Sequence, residues 1–307
     1  MAVPFNWSAS LPALVITLRE GVEAALVVGL VLAFLTQSRQ PTLKPYVWLG
    51  VIGGLGLSLA LGGGLFTLLQ RVGDLGTARG SALTYTLEAG FEVLAVGLLS
   101  WMLVWMTRQS RSLKRALEAQ VREAAGAWSL AGLVLTAVAR EGFETVVFIA
   151  AQWEAGWGPV LGAALGLLLA IGIGVGLFGL GIRLPLRGFF LGMGSFLLFI
   201  VAGLVVSALR HGAKAAGLWQ QVPGAWVPPC LFPGTPDTPA CYLGPLVWNL
   251  APNLPDSEFP GVLLKTLFGY TDHLYTVQAI AYLVFLSLVG GLYYRSLAPA
   301  SPQPVQS

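Results

Sequence analysis

Seven long apolar stretches constrain the fold of this chain more than any other feature of its sequence. They lie at about residues 11–36, 45–70, 81–107, 126–152, 157–182, 186–209 and 272–295. A helix of about 20 apolar residues crosses the hydrocarbon core of a bilayer, and each stretch reaches that length. Charged residues make up 10% of the chain, against roughly a quarter in soluble proteins. The sequence therefore predicts an all-α integral membrane protein that forms one polytopic domain over residues 1–307.

The distribution of basic residues predicts how the helices are oriented. With the N-terminus outside, ten lysines and arginines fall in the inner segments and five in the outer ones. Because cytoplasmic loops carry an excess of basic residues, we expect the N-terminus outside and the C-terminus inside the cytoplasmic membrane. Acidic residues lean towards the outer side, where a negative rim would concentrate cations. The rim residues expected to meet incoming ions are Glu154, Asp256, Glu258, Asp272 and His273.

Eight charged side chains lie inside the predicted spans, where charge is rare. A charge at the centre of a transmembrane helix costs about 2.5 to 3.5 kcal/mol on insertion scales. The eight are Arg19, Glu20 and Glu23 in the first span, Glu88 and Glu92 in the third, and Arg140, Glu141 and Glu144 in the fourth. Six carboxylates against two guanidiniums leave a formal surplus of four negative charges in these spans.

The spacing of the acidic residues places each pair on one face of its helix. Positions three or four apart are neighbours on a helix surface, and every pair has that spacing. At about 1.5 Å per residue, all six carboxylates fall at similar depths between the outer surface and the membrane midplane. We therefore expect the three pairs to converge on one site.

A carboxylate cluster in a low dielectric can be stabilised in three ways. The carboxylates can be protonated, as in a proton relay, or the two arginines can act as simple ion-pair partners. A hard cation that takes oxygen ligands is the third solution, which suits Fe(III), Mn(II), Ca(II) or Mg(II). Ion pairs alone leave Glu20, Glu88, Glu92 and Glu141 unexplained, so the cation is the favoured solution and the proton relay is the alternative.

The two arginine-containing motifs also indicate an internal repeat. The segments REGVE at 19–23 and REGFE at 140–144 are three crossings apart, so their helices run in opposite directions. Like motifs on the first helix of each triplet are typical of an inverted-topology repeat, in which substrate binds near the midplane. The predicted fold is thus seven transmembrane helices, arranged as an inverted 3+3 repeat plus one C-terminal helix.

These motifs resemble the oxidase-dependent iron transporter family, the high-affinity iron permeases, and most closely its EfeU-type bacterial branch. Further similar segments are LTAVAREGFETV at 135–146, WMLVWM at 101–106, GIRL at 181–184 and LFGY at 267–270. The resemblance covers nearly the whole chain apart from most of residues 211–265.

The resemblance implies roles for individual residues. The motif glutamates that would carry iron are Glu20, Glu23, Glu141 and Glu144, with Arg19 and Arg140 as their charged companions. Glu88 matches a further glutamate of the family, whereas Glu92 is assigned to the site by spacing alone. Asp256 and Glu258 are similar to an acidic outer motif of fungal members.

The expected function is that of an iron permease importing Fe(III) or Fe(II) across the cytoplasmic membrane through the glutamates of the two REGxE motifs. The alternative is a permease for another divalent metal such as lead or manganese, since carboxylate sites select weakly among hard cations. Iron would be the substrate, and no permanently bound cofactor is expected. The resemblance also implies a periplasmic iron-binding protein and a peroxidase or ferroxidase as partners.

Other classes of function have little support in the sequence. There is no GxxxxGK[ST] loop for ATP and no HExxH motif for a zinc protease. The two histidines, His211 and His273, flank the outer loop instead of facing each other as haem ligands. No basic stretch with interleaved aromatics indicates nucleic-acid binding. We expect neither an enzyme nor a nucleic-acid-binding protein. A receptor that transports no ion is a further alternative, and a metal-uptake assay would distinguish it from a permease.

The connection at about 210–271 is the longest polar stretch and contains both cysteines of the chain, Cys230 and Cys241. Disulfides form and persist outside the cytoplasm, so an outer position predicts a disulfide that closes a short loop. Two unpaired thiols are the alternative.

Overall fold

The structure is a computed structural model that describes residues 7–73, 78–109, 126–151, 157–178, 186–224, 230–232, 241–256 and 258–297. Six long helices form most of it: α1 (Trp7–Gln37), α2 (Lys44–Gly73), α3 (Ala78–Gln109), α4 (Ala127–Ala150), α5 (Gly158–Phe178) and α6 (Leu186–Trp219). A short 3₁₀ turn, Pro41–Leu43, precedes α2.

The C-terminal part combines a small two-stranded sheet with a last helical segment. Strand β1 (Leu246–Asn249) pairs antiparallel with β2 (His273–Tyr275), and helix α7 (Gly261–Phe268) lies between them in the chain. Helix α8 (Thr276–Phe285) continues through a π-helical turn, Leu286–Gly290, into α9 (Gly291–Leu297).

Five helical segments in the described part of the chain are long and apolar enough to cross a membrane. They are Pro41–Leu68, Arg79–Trp105, Gly158–Phe178, Leu191–Trp219 and Thr276–Ser296. Helices α1 and α4 are not among these five, although they are 31 and 24 residues long. Each of these two helices contains the three charged residues of one REGxE motif. The chain is thus an all-α, multi-pass membrane protein, as the apolar stretches predict.

Helix α6 extends ten residues beyond the predicted end at residue 209. The polar residues after that point continue the helix because their side chains contact polar or aromatic side chains of α3. His211 Nδ1 lies 2.9 Å from Glu92 Oε2, and Lys214 Nζ lies 5.1 Å from the centroid of the Tyr85 ring. The predicted outer loop at 210–271 therefore begins with three turns of helix and later includes β1 and α7, whereas β2 follows the loop and occupies the start of the last predicted span.

The six long helices pack in pairs that join the first three to the second three. Helix α1 packs along α5, α2 along α4, and α3 along α6, with further contact between α1 and α4. A buried apolar cluster joins these pairs at the centre, with Ile16 of α1, Leu99 of α3, Phe148 of α4 and Val201 of α6. The cluster fixes the relative positions of the two motif-bearing helices.

Glycines allow two of these pairs to approach closely. On α2, a Cβ added to Gly50 would lie 2.6 Å from the carbonyl oxygen of Ala131, and one added to Gly54 would lie 2.8 Å from Val138 Cβ. On α5, a Cβ at Gly166 would lie 2.9 Å from the backbone nitrogen of Leu18. The glycine-rich composition therefore serves close helix packing, as is usual in membranes.

A disulfide joins Cys230 and Cys241, so the structure forms the bond that the sequence predicts. Cys241 packs with Leu243, Tyr275 and Ala213 of α6 in a small apolar cluster. Tyr242 donates a hydrogen bond from its hydroxyl to the carbonyl oxygen of Leu209, 3.0 Å away. These contacts hold the segment that follows α6 against the end of that helix.

The Gly50→Ala variant tests the close packing of α2 on α4. The added methyl group would meet backbone atoms of α4 that cannot move independently, and overpacking of this kind costs about 1 to 3 kcal/mol. We expect a lower melting temperature in detergent. Gly56→Ala is the matched control on the same helix, because a Cβ there meets nothing within 4 Å. Equal melting temperatures for the two variants would contradict the packing described.

Candidate metal centre

The REGxE motifs of α1 and α4 face each other in the interior of the bundle. One carboxylate oxygen from each of Glu20, Glu23 and Glu141 lies within 4.8 Å of the others. Glu20 is 1% exposed, and Glu23 and Glu141 are partly buried. The helical spacing of three residues turns Glu20 and Glu23 to the same face of α1. The structure thus brings together acidic residues that are more than a hundred positions apart in the sequence.

Arg19 lies inside this cluster. Its Nη1 donates a hydrogen bond to Glu20 Oε1 over 2.7 Å, and its Nη2 lies 3.0 Å from Glu23 Oε1. Nη1 also lies 3.5 Å from the sulfur of Met102 on α3. The side chain of Arg19 is 2% exposed. The guanidinium therefore bridges both glutamates of its own motif while it is shielded from the surroundings of the protein.

The second motif pairs its residues differently. Arg140 Nε lies 3.3 Å from Glu144 Oε1, and the guanidinium carbon lies 4.9 Å from the centroid of the Trp105 ring. The Arg140 side chain is 43% exposed and that of Glu144 is 7% exposed. Glu144 also interacts electrostatically with Glu20 and Arg19. Glu144 is thus buried but is not one of the three cluster residues, whereas the Arg140 side chain is exposed.

Several carboxylate oxygens of the motif glutamates are buried without a hydrogen-bond donor. Within the described part of the chain, this holds for Oε2 of Glu20, Glu141 and Glu144. A buried anionic oxygen is costly unless it accepts a hydrogen bond or binds a cation. Carboxylate oxygens at this separation are the ligands that hard cations take. The arrangement is therefore chemically suited to hold a metal ion between α1 and α4.

The acidic pair of α3, Glu88 and Glu92, is not among the three residues of this cluster. Helix α3 reaches the motif residues through Met102 and Trp105. Glu92 precedes Met102 by ten residues, which is about 15 Å along a helix, and Glu88 lies one turn further away. Both residues are 1% exposed. The convergence of this third pair on the motif site stays a prediction.

An apolar layer separates Glu92 from the motif residues. Along α3 the interval contains Ala95 and Leu99, which belong to the same buried apolar cluster as Ala13 and Ile16 of α1 and Phe148 of α4. Ala13 and Ile16 are 0% exposed, and Leu99 and Phe148 are 1% exposed. The two groups of carboxylates are therefore distinct, with closely packed hydrophobic side chains between them.

His211 is the partner of Glu92, and sequence reasoning placed it in a loop. Nδ1 of His211 lies 2.9 Å from Glu92 Oε2, and the Tyr85 ring centroid lies 6.0 Å from the imidazole centroid. His211 lies on α6 and is 9% exposed. The sequence signal for this position was the alanine-rich stretch at 208–216, which favours continuation of α6.

The residues expected at the acidic rim form separate contacts in the C-terminal part. Lys265 Nζ lies 2.7 Å from Asp256 Oδ2, and His273 Nδ1 lies 2.9 Å from Asp272 Oδ1. Burial and the charges of Asp272 and Asp256 raise the pKa of Tyr270 above its usual value. Glu258 is exposed, and Glu154 lies outside the described residues. None of the four described rim residues joins the three-carboxylate cluster.

Comparison with known proteins shows similarity over almost the whole chain. The iron permease FTR1 family matches residues 10–297. An uncharacterized protein of Synechocystis sp. is 43% identical over 304 residues, which is 97% of each chain. The ferrous iron permease EfeU of Escherichia coli O6:H1 is 32% identical over 278 residues, 88% of this chain and 90% of its own. The Yersinia pestis protein of the same name is 30% identical over 278 residues, 88% of each chain. No solved structure matches.

Replacing His211 with leucine tests whether the Glu92 pair is a buried interaction. Removal of one partner leaves the other buried and unpaired, which costs about 3 to 5 kcal/mol. We therefore expect a marked fall in melting temperature. His273→Leu is the control, because that histidine and its aspartate are 28% and 20% exposed. Adding Glu92→Leu to His211→Leu should recover stability. A buried pair would be refuted if the double variant stays destabilised and the two histidine variants lower the melting temperature equally.

Proposed function

Because this chain belongs to the iron permease FTR1 family, we propose that it carries iron across the cytoplasmic membrane through the glutamates of its two REGxE motifs. Family membership supports iron transport by a multi-pass membrane protein. The oxidation state of the ion, the residues that coordinate it and its path through the membrane are further parts of the proposal. The observation that carries the proposal is the approach of Glu20, Glu23 and Glu141 to within 4.8 Å of one another in the bundle interior.

We propose Fe(II) as the ion that occupies the site. The four motif glutamates and two motif arginines, counted wherever the arginine side chains lie, sum to a formal charge of −2, which one divalent ion neutralises. A trivalent ion would leave an uncompensated positive charge in a low dielectric, where isolated charge is costly. The Escherichia coli relative is named a ferrous iron permease, which agrees with this choice. Divalent manganese or lead would satisfy the same charge balance, so competition by these ions is part of the test.

We also propose that α1–α3 and α4–α6 are the two halves of an inverted repeat within seven transmembrane spans. Exchange of the halves converts the α1–α5 pair into the α4–α2 pair, and leaves the α3–α6 pair unchanged. The motif glycines follow the same relation. A Cβ at Gly21 would lie 2.5 Å from Ala170 of α5, and a Cβ at Gly142 would clash with Ser58 of α2. Inverted repeats bind substrate between their halves.

The proposed path runs from an outer mouth to the cytoplasm, with the N-terminus outside. Asp256, Glu258, Asp272, His273 and Glu154 would gather cations at the mouth. Glu88 and Glu92, with His211 beside Glu92, would receive the ion before it reaches the motif site. Because the apolar layer lies across this route, movement of one half against the other is required to open it.

The energy for import would come from the membrane potential. A divalent ion moving inward gains about 5 kcal/mol per 100 mV. We propose no resident cofactor and no enzymatic step, since the family and the named relatives are permeases. A periplasmic iron-binding protein and a peroxidase or ferroxidase are the partners that would supply the ion.

The decisive test is uptake of radioactive Fe(II) into proteoliposomes with an inside-negative potential. The double variant Glu20→Gln, Glu141→Gln removes one carboxylate from each motif while it preserves side-chain volume. We expect the initial uptake rate to fall at least tenfold. Glu123→Gln is the matched control, because the sequence places this residue between the third and fourth predicted spans. Excess Mn(II) and Pb(II) in separate assays measure selectivity.

Three results would contradict the proposal or part of it. Equal uptake by the native protein and the double variant would remove the motif glutamates from the path. Loss of uptake in Glu123→Gln to the same extent would show that the effect is not specific to the cluster. Stronger inhibition by Mn(II) or Pb(II) than by unlabelled Fe(II) would make another divalent metal the preferred substrate.

A further inference from the structure

We propose that Arg19 and Arg140 are alternating counter-cations of the metal site, and that each is displaced by the ion when its own half of the repeat binds it. In this structure Arg19 is inserted among the carboxylates and Arg140 is withdrawn. The inference rests on the proposed function, which supplies the ion and the site. It adds a specificity-determining role for the two arginines.

The contacts of Arg19 are those of a cation that occupies the site. Both terminal nitrogens of its guanidinium are directed to the carboxylates of its motif, at 2.7 Å from Glu20 and 3.0 Å from Glu23. Glu20 and Glu23 are also two of the three residues in the candidate metal cluster. Arg19 thus already contacts one oxygen of each of these two carboxylates, so an ion that takes the same carboxylates as ligands is repelled by the positive charge of the guanidinium.

Arg140 has the same place in its motif but not the same environment. It contacts Glu144 through Nε at 3.3 Å, and its guanidinium lies over the Trp105 ring instead of between two glutamates. Its side chain is 43% exposed, against 2% for Arg19. Glu141, the first glutamate of this motif, is in the cluster of three carboxylates. The second motif thus presents a carboxylate to the site while its arginine is outside.

The inverted arrangement of the helices makes Arg19 and Arg140 corresponding residues of the two halves, so their environments can be compared directly. The two halves pack through corresponding pairs, and the glycines of both motifs contact corresponding helices. The two halves thus hold their motif arginines in different environments. In transporters of this class, one half rocks against the other around a fixed site. Exchange of the two environments would insert Arg140 and withdraw Arg19.

An internal cation affects binding and release in opposite ways. It competes with the incoming ion and so lowers the affinity of the site. It also balances the carboxylate charge once the ion has left, so that the empty protein can return without burying uncompensated anions. Removal of the inserted arginine should therefore strengthen equilibrium binding and slow turnover.

The first experiment measures equilibrium Fe(II) binding in detergent and uptake in proteoliposomes for Arg19→Gln. We expect at least tenfold tighter binding together with at least a fivefold lower maximal uptake rate. Arg79→Gln is the matched control, because Arg79 lies on α3 and is exposed. Arg19→Lys keeps the charge and should restore much of the turnover. Weaker binding in Arg19→Gln without rescue by lysine would overturn the proposal, since that is the result of a purely structural role.

The second experiment uses the native protein and so does not depend on the folding of a variant. Arginine modification by phenylglyoxal is followed residue by residue with mass spectrometry, in anaerobic buffer with and without Fe(II). Without metal we expect Arg140 to react at least ten times faster than Arg19. Addition of Fe(II) should accelerate modification of Arg19 several-fold. An unchanged or slower reaction of Arg19 with metal bound would overturn the proposal.

The outcomes separate this proposal from the proposed function. If the Glu20→Gln, Glu141→Gln variant loses uptake while Arg19→Gln binds and transports like the native protein, the metal site stands and the arginine role is wrong. If the glutamate variant transports normally, the proposed site itself is wrong, and the arginine proposal is overturned with it.

Discussion

Mutual repulsion among buried carboxylates is the constraint on which the rest of this structure depends. Two like charges about 4.8 Å apart repel by about 3 to 4 kcal/mol at an effective dielectric constant of about 20, and three residues of α1 and α4 lie within that separation. Arg19 offsets part of this repulsion through two contacts. Within the described residues, Oε2 of Glu20, Glu141 and Glu144 lacks a hydrogen-bond donor, which makes the site receptive to a cation.

The glycine at the centre of each motif explains how the bundle brings these charges together. Gly21 and Gly142 allow α5 and α2 to pack closely against the motif helices. The glutamates on either side of each glycine are then held by helices instead of by loops, which gives a binding site greater positional precision. The helix packing and the placement of the ligands are therefore specified by the same five residues in each half.

The sequence was sufficient to predict the helices, the charged motifs and the cysteine pair, because each depends on local composition or spacing. It was insufficient for contacts that depend on the relative depth of different helices. Leu99, Ile16 and Phe148 come from three different helices and lie in one buried cluster, which no local pattern reveals. For the same reason the pairing of Glu92 with His211 was missed, and His211 was placed in a loop. The contact of Arg19 with Met102 had no sequence signal for the same reason.

The most direct measurement is the location of iron in a structure of the protein loaded with Fe(II), from anomalous diffraction at the iron edge or from cryo-electron microscopy. The account predicts one ion between α1 and α4, with oxygen ligands from Glu20, Glu23 and Glu141 and with Arg19 moved away from at least one of its two glutamates. An ion found only near the C-terminal sheet, with the contacts of Arg19 unchanged, would contradict it.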